Sequence, residues 1–480
     1  MYDNLICHSN ISKTIERGSN WLVLWILYFT FTAVAAFFIQ LFVLPYIFPQ
    51  AHLGNGLFVP DSTGFHQIAA KKAMEISLKG WSVWELKPEG QYPAGIASIF
   101  YTIWRPEPYV FIPFNAILHA TSGCLIFFFI KQLIPNQTIA AIGGSFLFVI
   151  NPSSFEWTAQ IHRDGTFILG NFLILASWLL LLSSVSKISI KKVLFLTFLS
   201  FVGGLFIFIS RPYWSSISIF INFILFAILF IFVFVDWIMK REVTPSRKNI
   251  LTVGLILILI HLPFKSIHFV DNSDNMTKNR TAVHKEINPK ELSSDPAYIQ
   301  TDVNGNVIDI LRWKDTPMIP EFVERILYSL WSYRHGTQAT GGKTVIDVDR
   351  RLDSAVAFLR YLPRAFQVGF LSPFPTLWME SGNTPVTTFG RKILGIMTIF
   401  FYLCLLFFAW CTWENRKNQL FWIVVVFATL GLLFFTYAYA NVGILSRMRY
   451  GFYMIIIGIG FAFAISKFFL EKNILFIQAS

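Results

Sequence analysis

Charge is scarce in this 480-residue chain: Asp, Glu, Lys and Arg make up 14% of it, against about 25% in an average soluble protein. So little charge cannot coat the two or three soluble domains that the length alone suggests. Cysteine is scarce too. The four residues, Cys7, Cys124, Cys404 and Cys411, form no CxxC pair, and none lies in a loop that needs stapling, so a disulfide framework and a zinc site are both excluded. There is no P-loop, which argues against ATP as the energy source. No internal repeat and no low-complexity tract is visible. Acids number 27 against 39 Lys and Arg, leaving a net charge of +12. In so apolar a chain that excess reads as cytoplasmic-loop charge and not as a nucleic-acid footprint. What remains is 55% hydrophobic, with 52 Phe and 15 Trp. This is the composition of an all-α polytopic membrane protein.

Long, nearly charge-free runs predict ten spans, at 21–44, 107–131, 138–151, 165–186, 192–209, 213–239, 249–267, 389–411, 419–440 and 450–467. Trp21, Trp25, Trp214 and Trp237 lie near span ends, where amphipathic rings prefer to sit. The first run has no small-residue cleavage site and reads as a retained anchor. With both termini cytoplasmic, the inner segments collect fourteen basic residues, among them Lys13, Lys191, Lys248 and Lys417, against six acids. That satisfies the positive-inside rule at every turn. Three regions follow: a transmembrane core over 1–267 with its first two outer loops, a large outer loop over 268–388, and C-terminal helices over 389–480.

The outer loops read as folded. Asp61–Lys79 (DSTGFHQIAAKKAMEISLK) opens with an Asp suited to N-capping and continues at helical period, as an amphipathic surface helix would. AYIQTDV and NVIDILRW flank Asn304-Gly305 and predict a two-residue hairpin. Phe358–Phe374, with Pro363 inside it, predicts an interfacial or re-entrant helix rather than an eleventh span.

Three constellations carry chemistry. Asp61, followed by His66, is either a helix cap or a carboxylate held at the membrane surface as a general base. Asn151–Gly165 places Glu156, His162, Arg163 and Asp164 in one short outer loop, as an interfacial turn with an Arg163–Asp164 pair or as a site. Arg211, Arg360, Arg364, Arg447 and Arg449 put guanidinium forks on the face that the positive-inside rule leaves poor in them. Such forks match phosphate oxygens in pairs, although snorkelling accounts equally for Arg447 and Arg449. Other signals are weaker. Asp302-x-Asn304-x-Asn306 lacks the Gly and Glu of a calcium loop, and Asp347-Val-Asp349 reads more readily as a solvated loop face than as a metal site. Asn275 and Asn279 open formal glycosylation sequons. His119 lies inside a span and reads as packed.

The first outer-loop carboxylate with an aromatic four residues on (Asp61, Phe65), and the Arg163-Asp164 acidic motif in the next outer loop, resemble the GT-C superfamily of integral-membrane glycosyltransferases. The resemblance covers roughly residues 20–240. This chain has Ser62 and Phe65 where the family carries a second acid or a Tyr. The C-terminal stretches GFLSPFPTLW and NVGILSRMRYG resemble bacterial envelope proteins. The resemblance implies a sugar moved from a polyprenyl-phosphate or pyrophosphate carrier to an envelope glycan, lipid or protein on the outer face of a bacterial cytoplasmic membrane. It also implies Asp61 as base and Asp164 or Glu156 as orienting groups. A divalent cation is a candidate cofactor, with Asp61 and Asp164 as its candidate ligands. His66, His162, Arg163, Arg211, Arg360, Arg364, Arg447 and Arg449 are then the candidate substrate contacts. An O-antigen-type polymerase or ligase is the near alternative. A transporter or flippase of lipid-linked sugars is the distant one, disfavoured because polar groups crowd one face and leave the midplane bare.

Overall fold

The computed structural model describes residues 18–183, 188–240, 245–264, 298–301, 307–311, 313–339, 344–382 and 385–470. The Asn304-Gly305 turn, both sequons, Cys7, Lys13 and the Asp302–Asn306 motif lie outside them. The protein is an all-α polytopic membrane protein. Among the described residues, eight helices are long and apolar enough to cross a membrane: Trp21–Ile47, Pro108–Leu133, Asp164–Leu182, Ile190–Ser210, Pro212–Val235, Thr388–Glu414, Gln419–Ala438 and Tyr450–Phe468.

In chain order the first helices are α1 (Gly18–Phe38, continued by a π-helical turn Ile39–Ile47), α2 (Pro60–Lys79), α3 (Tyr92–Ile103), α4 (Ile112–Leu133), α5 (Thr138–Ile150) and α6 (Phe155–Thr158). Then come α7 (Asp164–Leu182), α8 (Ile190–Ser210), α9 (Pro212–Lys240) and α10 (Pro245–Leu259). Strands β1 (Tyr298–Thr301) and β2 (Val307–Leu311) pair antiparallel, Tyr298 opposite Leu311, as the hairpin reading expected. The remainder is α11 (Glu321–Ala339), α12 (Ala355–Leu371), α13 (Pro375–Trp378), α14 (Pro385–Glu414), α15 (Gln419–Ala438), α16 (Val442–Met448) and α17 (Tyr450–Ile465). The helix expected around Pro363 is α12, continuous through that proline and not among the eight apolar spans.

Two of the ten expected spans do not stand as straight, full-length helices. At 138–151 the helix stops after 13 residues, roughly 20 Å of rise against a hydrocarbon core of about 30 Å. Pro152 cannot extend it, and the Asn151 side chain accepts from the Ser153 amide at the break. The chain resumes as Pro152–Thr158 at a 49° bend. The bent pair climbs beside α1: Tyr28 meets Ser145 at 2.6 Å, and further up Gln40 donates to the Ala159 carbonyl at 2.8 Å. Counted as one broken span, it makes a ninth. In the span expected at 249–267, α10 stops at Leu259 and a 3₁₀ segment follows at Leu262–Phe264, while 265–267 lie outside the described residues. There His261 meets Ser200 at 2.8 Å and Phe264 packs on Phe201 and Phe208.

The chain divides into two compact units. The described parts of Met1–Phe264, Cys404–Val424 and Met454–Ser480 form the first, and those of Lys265–Leu403 and Val425–Tyr453 the second. The helices of 389–480, read from the sequence as one C-terminal region, are thus shared out between them. In the first unit α7 is the central element, with almost every residue from Asp164 to Leu179 buried. Close approach depends on small residues. Gly170 and Gly203 stack α7 on α8, each leaving no room for a Cβ beneath the other's carbonyl. Gly144 of α5 meets Gly458 of α17 in the same way. In the second unit α11 packs on α12, and the segment Thr344–Ile346 is bridged to Ala440–Val442 by backbone hydrogen bonds of 2.9 Å.

Candidate functional site

The C-terminal end of α1 and the N-terminal ends of α4 and α7 are joined by a polar lattice. Asn115 of α4 donates to the carbonyls of Trp157 and Gln160, at 2.8 and 2.6 Å. The buried Gln160 amide reaches back to the first loop, accepting from the Phe58 amide at 3.1 Å and donating to the Gly56 carbonyl at 3.0 Å. Gly56 has φ +73°, and a Cβ there would run into Gln40, so only glycine allows this approach. The lattice sets the start of α2, and with it Asp61, against the segment Ala159–Asp164.

That segment delivers a compact charge cluster. Asp164, at the first position of α7, is 2% exposed and shares its carboxylate. Oδ1 accepts from the Arg211 guanidinium, and Oδ2 lies 3.0 Å from Nδ1 of His162. Arg211, also buried, donates to Tyr213 at 2.9 Å and lies over the Phe167 ring. The sequence offered an Arg163–Asp164 pair with Arg211 as a phosphate contact; the structure instead pairs Asp164 with Arg211. Adjacent residues on one turn diverge, while Arg211 follows α8, which is packed on α7 by its glycines.

Arg163 is left differently placed. It donates to the side-chain oxygen of Gln91 at 3.2 Å and covers the Phe65 ring, with no carboxylate in ion-pair contact among the described residues. Burial and the neighbouring Arg211 guanidinium pull its pKa below the usual arginine value, with Asp164 and Asp61 acting the other way. The wall around it comes from the first loop. Phe65 meets His162 edge-on, and Tyr92 of α3 is hydrogen-bonded to Thr166 of α7.

Asp61 is exposed in the first turn of α2. It does not cap the helix: Val59 holds the cap position and Pro60 the first helical one, so the capping reading is corrected. A carboxylate there is favoured by the helix dipole. His66, one turn on, bonds Tyr101 at 2.7 Å and Asn55 at 3.2 Å, and burial lowers its pKa. Glu156 is half-buried on α6.

The second unit holds a further network that the sequence reading missed. Asp347, read there as a solvated face, is largely buried. It takes Arg364 through both carboxylate oxygens at 2.8 to 3.1 Å and the Tyr361 hydroxyl at 2.7 Å. Burial works to raise its pKa, and the Arg364 and Tyr361 hydrogen bonds outweigh burial and hold it below the usual carboxylate range. Asp349 is exposed, as expected. Arg334 joins through Tyr361 at 3.2 Å and the Thr436 carbonyl at 3.0 Å. Its place on α11 was the one available signal, a lone arginine on an aromatic helix face. Arg449 is buried and donates to the carbonyls of Val368, Gly369 and Ser372, which end α12. Its donors are taken by a helix C-terminus, so the expected phosphate contact is corrected to a structural clamp. Arg360 is exposed on α12, and Arg447 lies in the last turn of α16.

Among the described residues no three His, Cys, Asp or Glu side chains converge as metal ligands would. Asp164, already shared between Arg211 and His162, is a poor fit for a cation, whereas the exposed Asp61 has its oxygens toward solvent. Searches of family models and of curated proteins find no match to this chain.

Proposed function

We propose that this protein is a membrane glycosyltransferase that takes a sugar from a polyprenyl-linked phosphate donor and passes it to an envelope glycan, lipid or protein. The observation that carries the reading is the half-buried guanidinium of Arg163. It stands beside a neutralised Asp164–Arg211 pair, with no carboxylate in contact among the described residues and with the Asp61 carboxylate on the rim. A half-desolvated cation in that position suits an anion, and a phosphate can receive two of its N–H groups at once.

The reaction follows from those charges. The acceptor hydroxyl loses its proton to Asp61, and its oxygen forms the new bond to the anomeric carbon. The bond from that carbon to the carrier's phosphate oxygen breaks, and the phosphate departs with the electron pair. Arg163 opposes charge that grows on the phosphate only as this bond breaks, which is where stabilisation lowers a barrier. Asp164 and Arg211 act as positioning residues: they hold the His162–Arg163 turn against the Phe65 and Tyr92 wall. The resemblance and the charge asymmetry support an outer-face site in a bacterial cytoplasmic membrane, with both termini inside.

The lipid that co-purifies tests the reading. A polyprenyl monophosphate sugar supports it, a pyrophosphate-linked oligosaccharide turns it toward a polymerase or ligase, and transport of labelled substrate across proteoliposomes without covalent change contradicts it.

A further inference from the structure

Between Lys87 and Tyr92 the first loop makes one tight turn. Glu89 and Gly90 both stand in the left-handed region, at φ +51° and +78°, and the amides of Gly90 and Gln91 donate to the carbonyls of Lys87 and Pro88 at 2.9 Å. The turn sorts its side chains by charge. Its acid, Glu89, is exposed and pairs with Lys71 at 3.1 Å. Its neutral amide, Gln91, is half-buried and accepts from the Arg163 guanidinium at 3.2 Å. Tyr92, the next residue, bonds Thr166 and so pins the turn to the start of α7.

The Gln91 side chain does little else for the fold. It stands at the N-cap of α3 but caps nothing, and its Nε2 has no protein partner among the described residues. By stability alone a carboxylate would be favoured in its place. It would have the same size, and it would lie at the positive end of the α3 dipole. It would also pair with a guanidinium that has no carboxylate in contact among the described residues. Around Arg163, burial and the Arg211 guanidinium oppose the positive charge, while Asp164 and Asp61 support it. An amide oxygen steers the guanidinium without cancelling that charge. An amide also carries two N–H donors beside its oxygen, where a carboxylate carries none.

We propose that Gln91 is a positioning residue of the phosphate site: it holds Arg163 over Phe65 through a neutral oxygen and so leaves the guanidinium charge to the phosphate of the lipid donor. The proposal rests on the reading of Arg163 as the phosphate contact. It adds a requirement that packing does not impose, an acceptor without charge at position 91.

The test is binding of synthetic polyprenyl monophosphate, the carrier that transfer releases, to the full chain in detergent, read by native mass spectrometry. Uncharged polyprenol is titrated in parallel. Gln91→Glu is expected to melt at or above the wild-type temperature and yet to bind polyprenyl monophosphate roughly tenfold or more weakly, with polyprenol unchanged. Gln91→Leu, which removes the acceptor without adding charge, is expected to lose less, and it carries the test with the same outcomes if Gln91→Glu does not fold. Glu89→Gln, on the exposed side of the turn, is expected to bind like wild type. Wild-type affinity in a folded Gln91→Glu overturns the proposal, and so does an equal loss for polyprenol, which would make the effect structural. Arg163→Gln separates the two readings. If it loses the preference for phosphate over polyprenol while Gln91→Glu keeps it, the role of Gln91 falls alone. If Arg163→Gln keeps that preference, the phosphate reading of Arg163 falls and the role of Gln91 with it. Phosphate binding that depends on both residues, in a protein that transfers no sugar, refutes the transferase reading and leaves this anion site standing.

Discussion

Replacing Asp164 by Ala leaves Arg211 buried beside Arg163 with its countercharge gone. Arg211 is 4% exposed and Asp164 2% exposed, so solvent screens little of their attraction. At an effective dielectric near 20 two charges about 4 Å apart interact by about 4 kcal/mol, and removing one partner of a buried pair usually costs about 3–5 kcal/mol. The expected loss for Asp164→Ala is therefore about 3–5 kcal/mol, enough to lower the yield of folded protein. Asp164→Asn keeps an acceptor for Arg211 and is expected to lose less. The decisive comparison is a double-mutant cycle with Arg211→Gln, read as denaturant or thermal unfolding of the detergent-purified protein. If the pair is worth what burial implies, Asp164→Asn with Arg211→Gln is better tolerated than the sum of the two, by about 1–3 kcal/mol of coupling. Additive effects would refute the pairing as a source of stability.

Further outcomes follow from the same structure. Arg449→Ala strips three carbonyls at the end of α12 of their donor and is expected to cost about 3 kcal/mol or more, with Arg449→Lys recovering part of it in the same melting assay. Gly144→Ala drives a methyl group into the Gly458 carbonyl and is expected to destabilise by about 1–3 kcal/mol; an unchanged melting temperature would contradict the α5–α17 contact. His66 is held below its ordinary pKa of 6.5 by burial, so the unfolded chain binds the proton more readily than the folded one. The stability this histidine contributes is present above the unfolded pKa and falls as pH drops below it. His66→Gln is expected to flatten the melting-temperature loss between about pH 7 and 5, and an equally steep loss would refute the assignment.

Much of the architecture was readable because lipid imposes a simple code. Runs of about twenty apolar residues marked the eight long spans, and the 3.6-residue period marked α2. The code is blind to breaks. Asn151-Pro152 looks like the end of a short span, and only the contacts with Tyr28 and Gln40 show that the chain climbs on. Asp61, the His162-Arg163-Asp164 run and Arg211 stood out as three separate features, since ionisable groups at span ends are costly unless used. Their pairing was not readable, because Asp164 meets Arg211 through the packing of α7 on α8, 47 residues away in sequence. Asp347 was misjudged for the same reason: a charged loop triplet looks solvated until Arg364 and Tyr361 fold over one member of it. Arg449 looked like a phosphate ligand, because nothing in a sequence shows which helix end an arginine will cap.

The central claim is that Asp61 removes the proton from the acceptor hydroxyl. Asp61 makes no cap in α2, so Asp61→Asn leaves the helix start intact, and the amide keeps the carboxylate's size. The measurement is transfer of labelled sugar from a polyprenyl-linked donor by Asp61→Asn against wild type, with donor binding and melting temperature recorded on the same preparations. Loss of a general base is expected to lower the rate by about 10²–10⁴-fold at unchanged donor affinity, with stability lowered by no more than the lost helix-dipole contribution, about 1 kcal/mol. Transfer at the wild-type rate in the Asp61→Asn protein would contradict the account.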